Sequence, residues 1–185
     1  LISGGIVLPE YQRSFVWTKE QIINFIKSIG KDEFIPPVTI GKLNDKNIII
    51  DGQQRLTSIA LAYLNVLPSE RKYKKTVKVE VDNEDDELEE EHYFEWTINT
   101  LKELGPNINE VKNALAGNEN YETLGTHWVN DEFLKKHYLG FSYIIPHSDT
   151  TEDDQHRFFS TIFRNVNIGG TNLLKTESRK SLYCL

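Results

Sequence analysis

The stretch Ile48 to Leu64, I-I-I-D-G-Q-Q-R-L-T-S-I-A-L-A-Y-L, decides how this chain is read. Three isoleucines predict a short buried strand, and Asp51-Gly52 breaks it. Leu56, Ile59, Ala60, Tyr63 and Leu64 then recur at helical spacing, so the chain turns directly from strand into helix. Gln53, Gln54 and Arg55 fall in the first turn of that helix. A helix N-terminus presents unpaired N–H groups and the positive end of the dipole, which suits an anion. Gly52 lets a ligand approach the backbone. Arg55 adds a planar cationic fork matched to phosphate. Two readings stand side by side. In one, the corner is a phosphate or nucleotide cradle. In the other, Asp51 is an N-cap, Gln54 completes a capping box, and Arg55 is a solvated first-turn residue.

Working outward, Pro36-Pro37 precedes a strand, Val38 to Leu43, and Asn44 to Asn47 form a turn, so Ile48 to Ile50 is the second strand of a β-hairpin. Upstream, Ile6 to Leu8 is a short apolar strand ended by Pro9. The following loop is polar and aromatic and contains Tyr11-Gln12-Arg13. An amide, a phenol and an arginine together can grip a phosphate or stack a base. Pairing with a surface acid is the ordinary alternative for Arg13, and Trp17 is expected to pack. Thr18 caps a helix, with Gln21 at the capping-box position and Ile22, Phe25, Ile26 and Ile29 on its buried stripe.

Beyond the central helix, closed by Pro68, Arg71 to Val81 carries five basic residues and then alternates valines. This predicts a strand whose lysines either steer a polyanion or protect a sheet edge. The next segment, Asp82 to Glu91, holds eight acids and is expected to be a solvated loop or helix start. From there the chain becomes mainly helical. Phe94, Ile98, Leu101 and Leu104 share one face, a short helix opens at Asn109, and Asn130 caps another. Phe141 to Pro146 reads as a core strand, and Thr151 begins a helix through Phe158, Phe159, Ile162 and Phe163. Asn165 to Asn172 is a polar glycine turn, either facing a ligand or capping that helix. The pattern is α+β: a small mixed sheet with flanking helices, followed by a mainly helical part. The boundaries expected are 1–82 for the core, 83–140 for an acidic and helical insertion, and 141–185 for a return strand and helices that complete the core.

Composition narrows the function classes. The 185 residues are 38% hydrophobic and 11% aromatic, enough for a globular core. The net charge is −7, yet without the acidic run 20 acids face 21 bases, so a nucleic-acid partner is not excluded. A single cysteine, Cys184, rules out an internal disulfide and suits a reducing cytoplasm. No apolar run is long enough to span a membrane. His92, His127, His137, His147 and His156 show no zinc spacing. There is no Walker A motif or nucleophile elbow. The chain begins at Leu1 and contains no methionine, which suggests a trimmed chain or one whose methionines are missing from the sequence.

Three separated segments then agree with one family. They are Leu8-Pro9-Glu10-Tyr11-Gln12-Arg13 with Trp17; Pro37 to Gly41 with Ile50-Asp51-Gly52-Gln53-Gln54-Arg55-Leu56-Thr57; and Phe163-Arg164-Asn165-Val166-Asn167-Ile168-Gly169-Gly170-Thr171, continuing to Leu173, Glu177, Arg179 and Leu182. In this order they resemble the N-terminal domain of GmrSD-type restriction endonucleases, recognised by Asp-Gly-Gln-Gln-Arg. The resemblance implies a ParB/sulfiredoxin-like core and a nucleoside triphosphate, GTP or ATP, with Mg²⁺. It also implies a role in restricting DNA, often modified phage DNA, as a nucleotide-hydrolysing domain or as a non-catalytic module that regulates a separate nuclease. It casts Asp51, Gln54 and Arg55 as catalytic, and Gly52, Gln53, Gln54, Arg55, Asn167 and Gly170 as nucleotide-binding. Tyr11, Gln12 and Arg13 would sense DNA or nucleotide. Family members usually continue into a helical and often a nuclease region, so this chain is expected to lack the part that cuts DNA. Ile168 and the residues after Leu174 depart from the commonest family pattern.

Overall fold

The structure is a computed structural model that describes residues 5–6, 14–43, 46–80, 88–147 and 151–167. The fold is α+β. Helix α1 (Lys19–Gly30) leads into the hairpin β1 (Val38–Leu43) and β2 (Lys46–Asp51), then α2 (Gln53–Leu64). After these come β3 (Val66–Pro68), α3 (Glu70–Tyr73), β4 (Lys74–Glu80), β5 (Leu88–Phe94), α4 (Ile98–Lys102), α5 (Ile108–Leu115), β6 (Tyr121–Thr123), α6 (Asp131–Lys136), β7 (Phe141–Ile144) and α7 (Glu152–Asn167).

The sheet that carries the central corner has the order β2-β1-β7. β1 runs antiparallel to β2 and parallel to β7, with Ile40 opposite Ile49 and Val38 opposite Phe141. It is covered on both faces, which is why Ile48, Ile49 and Ile50 are all buried rather than alternating. On one face Ile49 packs with Val38, Ile40 and Leu56 of α2. On the other, Ile48 and Ile50 pack with Phe159 of α7. Gly41 makes room there: a Cβ at this position would lie 2.8 Å from Ile50 Cδ1 and would strike the Phe159 ring.

α2 is wedged between this sheet and the main core. Its buried residues are Gln53, Gln54, Leu56, Thr57, Ser58, Leu61, Ala62 and Leu64. This shifts the expected stripe of Ile59, Ala60 and Tyr63, which are only partly buried because the helix is gripped from two sides. The main core joins Phe15, Ile22 and Ile26 to Leu61, Trp96, Ile98, Leu101, Val111, Leu124 and Val129. Residues from the stretch 83–140 therefore pack against the same hydrophobic centre as α1 and α2.

Several local expectations change. Phe141 to Ile144 is not a core strand: Phe141 and Tyr143 are exposed, and among the described residues it pairs with β1 alone, at the edge of the sheet. Leu88 to Glu91 lies in β5, since the antiparallel ladder with β4 places Lys78 opposite Glu90 and extends to Leu88. Phe94 ends that strand instead of opening a helix, and Lys46 and Asn47 belong to β2 rather than to the turn before it. Thr18 and Gln21 do form the capping box, and Asn130 does cap α6.

Candidate functional site

The strand-to-helix corner forms because β2 ends against a register shift. Ile40 pairs with Ile49, but Thr39 pairs with Asp51, so one residue is extra on β2. Such an irregularity bends the strand and re-aims the side chain that follows it. Gly52 then adopts φ 92°, ψ 13°, the left-handed region, and serves as the N-cap of α2. A Cβ there would lie 2.8 Å from Val38 Cγ2 and 3.2 Å from Arg55 Nη2, so glycine is required both by its dihedrals and by the packing.

This geometry overturns the capping-box alternative for Asp51 and Gln54. The N-cap is Gly52, and no side chain caps α2. Asp51 instead faces Arg55, whose Nη2 donates to Asp51 Oδ2 at 2.6 Å. The Arg55 side chain is only 12% exposed and that of Asp51 33%, so the pair is largely withdrawn from water. Arg55 Nη1 also donates to the carbonyl of Pro36. The end of β2, the first turn of α2 and the loop before β1 thus meet at one guanidinium.

Gln54 points elsewhere. Its Oε1 accepts from Val16 N–H at 3.0 Å and its Nε2 donates to Ser14 C=O at 3.0 Å. Gln53 is buried at the same corner. Asp51, Gly52, Gln53, Gln54 and Arg55 are therefore brought together. Tyr11, Gln12, Arg13 and Gly170 lie outside the described residues, and Asn167 is placed only as the last residue of α7, its side chain outside them. Sequence reasoning missed Ser14, Val16 and Pro36, which act through backbone groups that leave no signature in residue type.

Chemically, the corner combines a carboxylate, a guanidinium and a helix start without a side-chain cap. Arg55 and the first-turn N–H groups suit a phosphate. The carboxylate lone pairs not taken by Arg55 suit a hard cation or a water. Among the described residues no group of three or more His, Cys, Asp and Glu is placed to hold a metal ion, so any ion here would need ligand or water oxygens besides Asp51. Outside the corner, burial raises the Tyr121 phenol above its ordinary value. Its oxygen receives a hydrogen bond from Trp96 Nε1 at 3.2 Å, in the core rather than at a site.

Comparison with known proteins gives two matches. The family described as the N-terminal domain of GmrSD restriction endonuclease matches residues 1–184. An uncharacterized protein of Methanocaldococcus jannaschii is 32% identical over 84 residues, a match covering 32% of this chain and 14% of that protein. The chain thus spans a small part of the length of that relative. No solved structure gives a significant match. Among the described residues no helix is long and apolar enough to cross a membrane.

Proposed function

The chain belongs to the N-terminal domain family of GmrSD restriction endonucleases, and on that premise we propose that it is a nucleoside triphosphate-binding domain of a DNA restriction system. The observation that carries this reading is the Asp51–Arg55 pair, 2.6 Å apart at a helix start whose N-cap is a left-handed glycine. GTP or ATP with Mg²⁺ fits the donor set. Arg55 and the α2 N–H groups would hold phosphate oxygens, and Asp51 would hold the ion or a water. When bound, Mg²⁺ would neutralise charge on the phosphates. This chain's own part is positioning and electrostatic stabilisation, which dominate phosphoryl transfer. Modified phage DNA in the cytoplasm is the proposed target, with cutting assigned to a nuclease region beyond this domain. The core is proposed to be of the ParB/sulfiredoxin type.

A second reading is binding without turnover, in which the domain regulates a separate nuclease. Gln54 favours it, because a carboxamide engaged by Ser14 and Val16 is not aimed at an attacking water. One experiment covers both: titrate the domain with GTP, ATP and CTP plus Mg²⁺, beside Arg55→Ala, and follow binding and phosphate release. Saturable binding lost in the variant supports the site, and phosphate release makes it a hydrolase. A folded wild-type domain that binds no nucleotide refutes the reading.

A further inference from the structure

We propose that Gln54 is a positioning residue, which clamps the segment 14–16 to the first turn of α2 and so holds that turn in the form that binds the nucleotide. This rests on the nucleotide reading of the corner and assigns a role within it.

The contact has the form of a peptide–peptide bridge. In an extended chain the C=O of one residue and the N–H two residues on point to the same side. A primary amide carries one acceptor and a donor group and matches both at once. Gln54 does this, donating to Ser14 C=O and accepting from Val16 N–H, each at 3.0 Å. The intervening residue is held from elsewhere: Phe15 N–H donates to Trp96 C=O at 2.9 Å. The Phe15 side chain is 2% exposed and meets Trp96 edge-to-face at 5.7 Å. Residues 14–16 therefore lie like a strand between the first turn of α2 and the backbone at Trp96.

Phe15 alone would bury this segment in the core. Gln54 adds a fixed register against α2. It sits between Gln53 and Arg55 in sequence and is itself 7% exposed. The charged neighbours on its own turn, Asp51 and Arg55, are already paired with each other. The segment 14–16 is thus joined to the corner at two points of one side chain.

The test uses two variants and MgGTP or MgATP as probe, with a DNA duplex in parallel. Gln54→Ala removes both hydrogen bonds and adds no charge. Gln54→Glu keeps the shape, but its carboxylate cannot donate to Ser14 C=O, whereas its protonated form can. Binding is measured relative to wild type at pH 8 and pH 5, with hydrogen exchange at the Val16 amide. The expected result is binding about 10-fold weaker in Gln54→Ala at both pH values, the scale of one lost hydrogen bond in a buried setting. Gln54→Glu should be weakened at pH 8 and recover towards wild type at pH 5. The Val16 amide should exchange about 10-fold faster in Gln54→Ala than in wild type, as local opening becomes easier. Unchanged binding with a fast Val16 amide overturns the positioning role. Lost binding with a protected Val16 amide also overturns it, and makes Gln54 a direct ligand contact. If Gln54→Ala does not fold, the pH response of Gln54→Glu decides alone. Failure of wild type to bind either probe removes the nucleotide reading itself, and the positioning role with it.

Discussion

Arg55 lies one helical turn beyond Asp51, and the two side chains meet at 2.6 Å across the break between β2 and α2. The pair closes the corner from within, because the same guanidinium also donates to the Pro36 carbonyl. A ligand at this corner must therefore share Arg55 with structural partners. Structural and ligand roles can be separated by their free energies.

Removing Arg55 leaves a half-buried carboxylate and a carbonyl without their donor. Arg55→Ala should cost about 1–3 kcal/mol of stability, the scale for orphaning partly buried polar groups. The double variant with Asp51→Ala should be less than additive by about 1 kcal/mol, because the orphaned partner is gone. Urea unfolding of the four proteins checks this. Full additivity would mean that the two side chains do not interact in solution.

How legible the corner was depends on which of its parts are local. The run Ile48–Ile50, the break at Asp51-Gly52 and the helix after it follow from periodicity and from glycine, and the structure has all three. The capping box did not survive, because Gly52 at φ 92° takes the N-cap position and swings Asp51 towards Arg55. Nothing in sequence ties Gln54 to Ser14 and Val16, which are 40 and 38 residues away. Trp96, a lone aromatic between two elements, gave no period to read, yet it is 0% exposed at the centre of the core. The three-residue strands β3 and β6 are too short to show alternation, and their antiparallel pairing joins stretches far apart in sequence, with Asn65, just before β3, also holding Gly125 and Thr126, just after β6.

Phe159 is the buried ring in the cluster behind the sheet, where Ile144 and Ile162 also pack. Phe159 is 1% exposed and covers Ile48 and Ile50. Phe159→Ala should cost about 3–5 kcal/mol through lost burial and a cavity. Gly41→Ala should destabilise by about 1–3 kcal/mol through overpacking against the same ring. Combining them should give less than the sum, since the cavity accommodates the new methyl. Thermal unfolding of both single variants and the pair measures this, and strict additivity would place Phe159 away from Gly41.

The Trp96–Tyr121 hydrogen bond makes a different forecast. Trp96 is fully buried, so Tyr121→Phe leaves its indole N–H without this acceptor at a cost of about 1–3 kcal/mol. Burial holds the Tyr121 phenol above its ordinary value. For a group whose folded value is raised, the contribution to stability is full below the unfolded value and fades as pH rises through the folded one. Wild type should therefore lose stability above about pH 10, the ordinary tyrosine value. Tyr121→Phe should lose less over that range. Parallel slopes for the two proteins in alkaline unfolding curves would remove Tyr121 from the explanation.

Asn65 ends α2 at φ 57° and does two jobs that substitutions can split. Its conformation is one that side chains other than Asn and Gly rarely accept. Its Oδ1 accepts from Gly125 N–H at 2.8 Å and Thr126 N–H at 2.6 Å, holding the loop before α6. Asn65→Gly keeps the conformation and loses the anchors, for an expected cost of about 1–2 kcal/mol from two hydrogen bonds. Asn65→Ala loses both, so it should cost about 1 kcal/mol more. Amide exchange adds a local test: Thr126 N–H should lose protection in both variants, while the last turn of α2 should loosen further in Asn65→Ala. Equal destabilisation by the two substitutions would mean that the side-chain anchors, and not the left-handed turn, set the end of the helix.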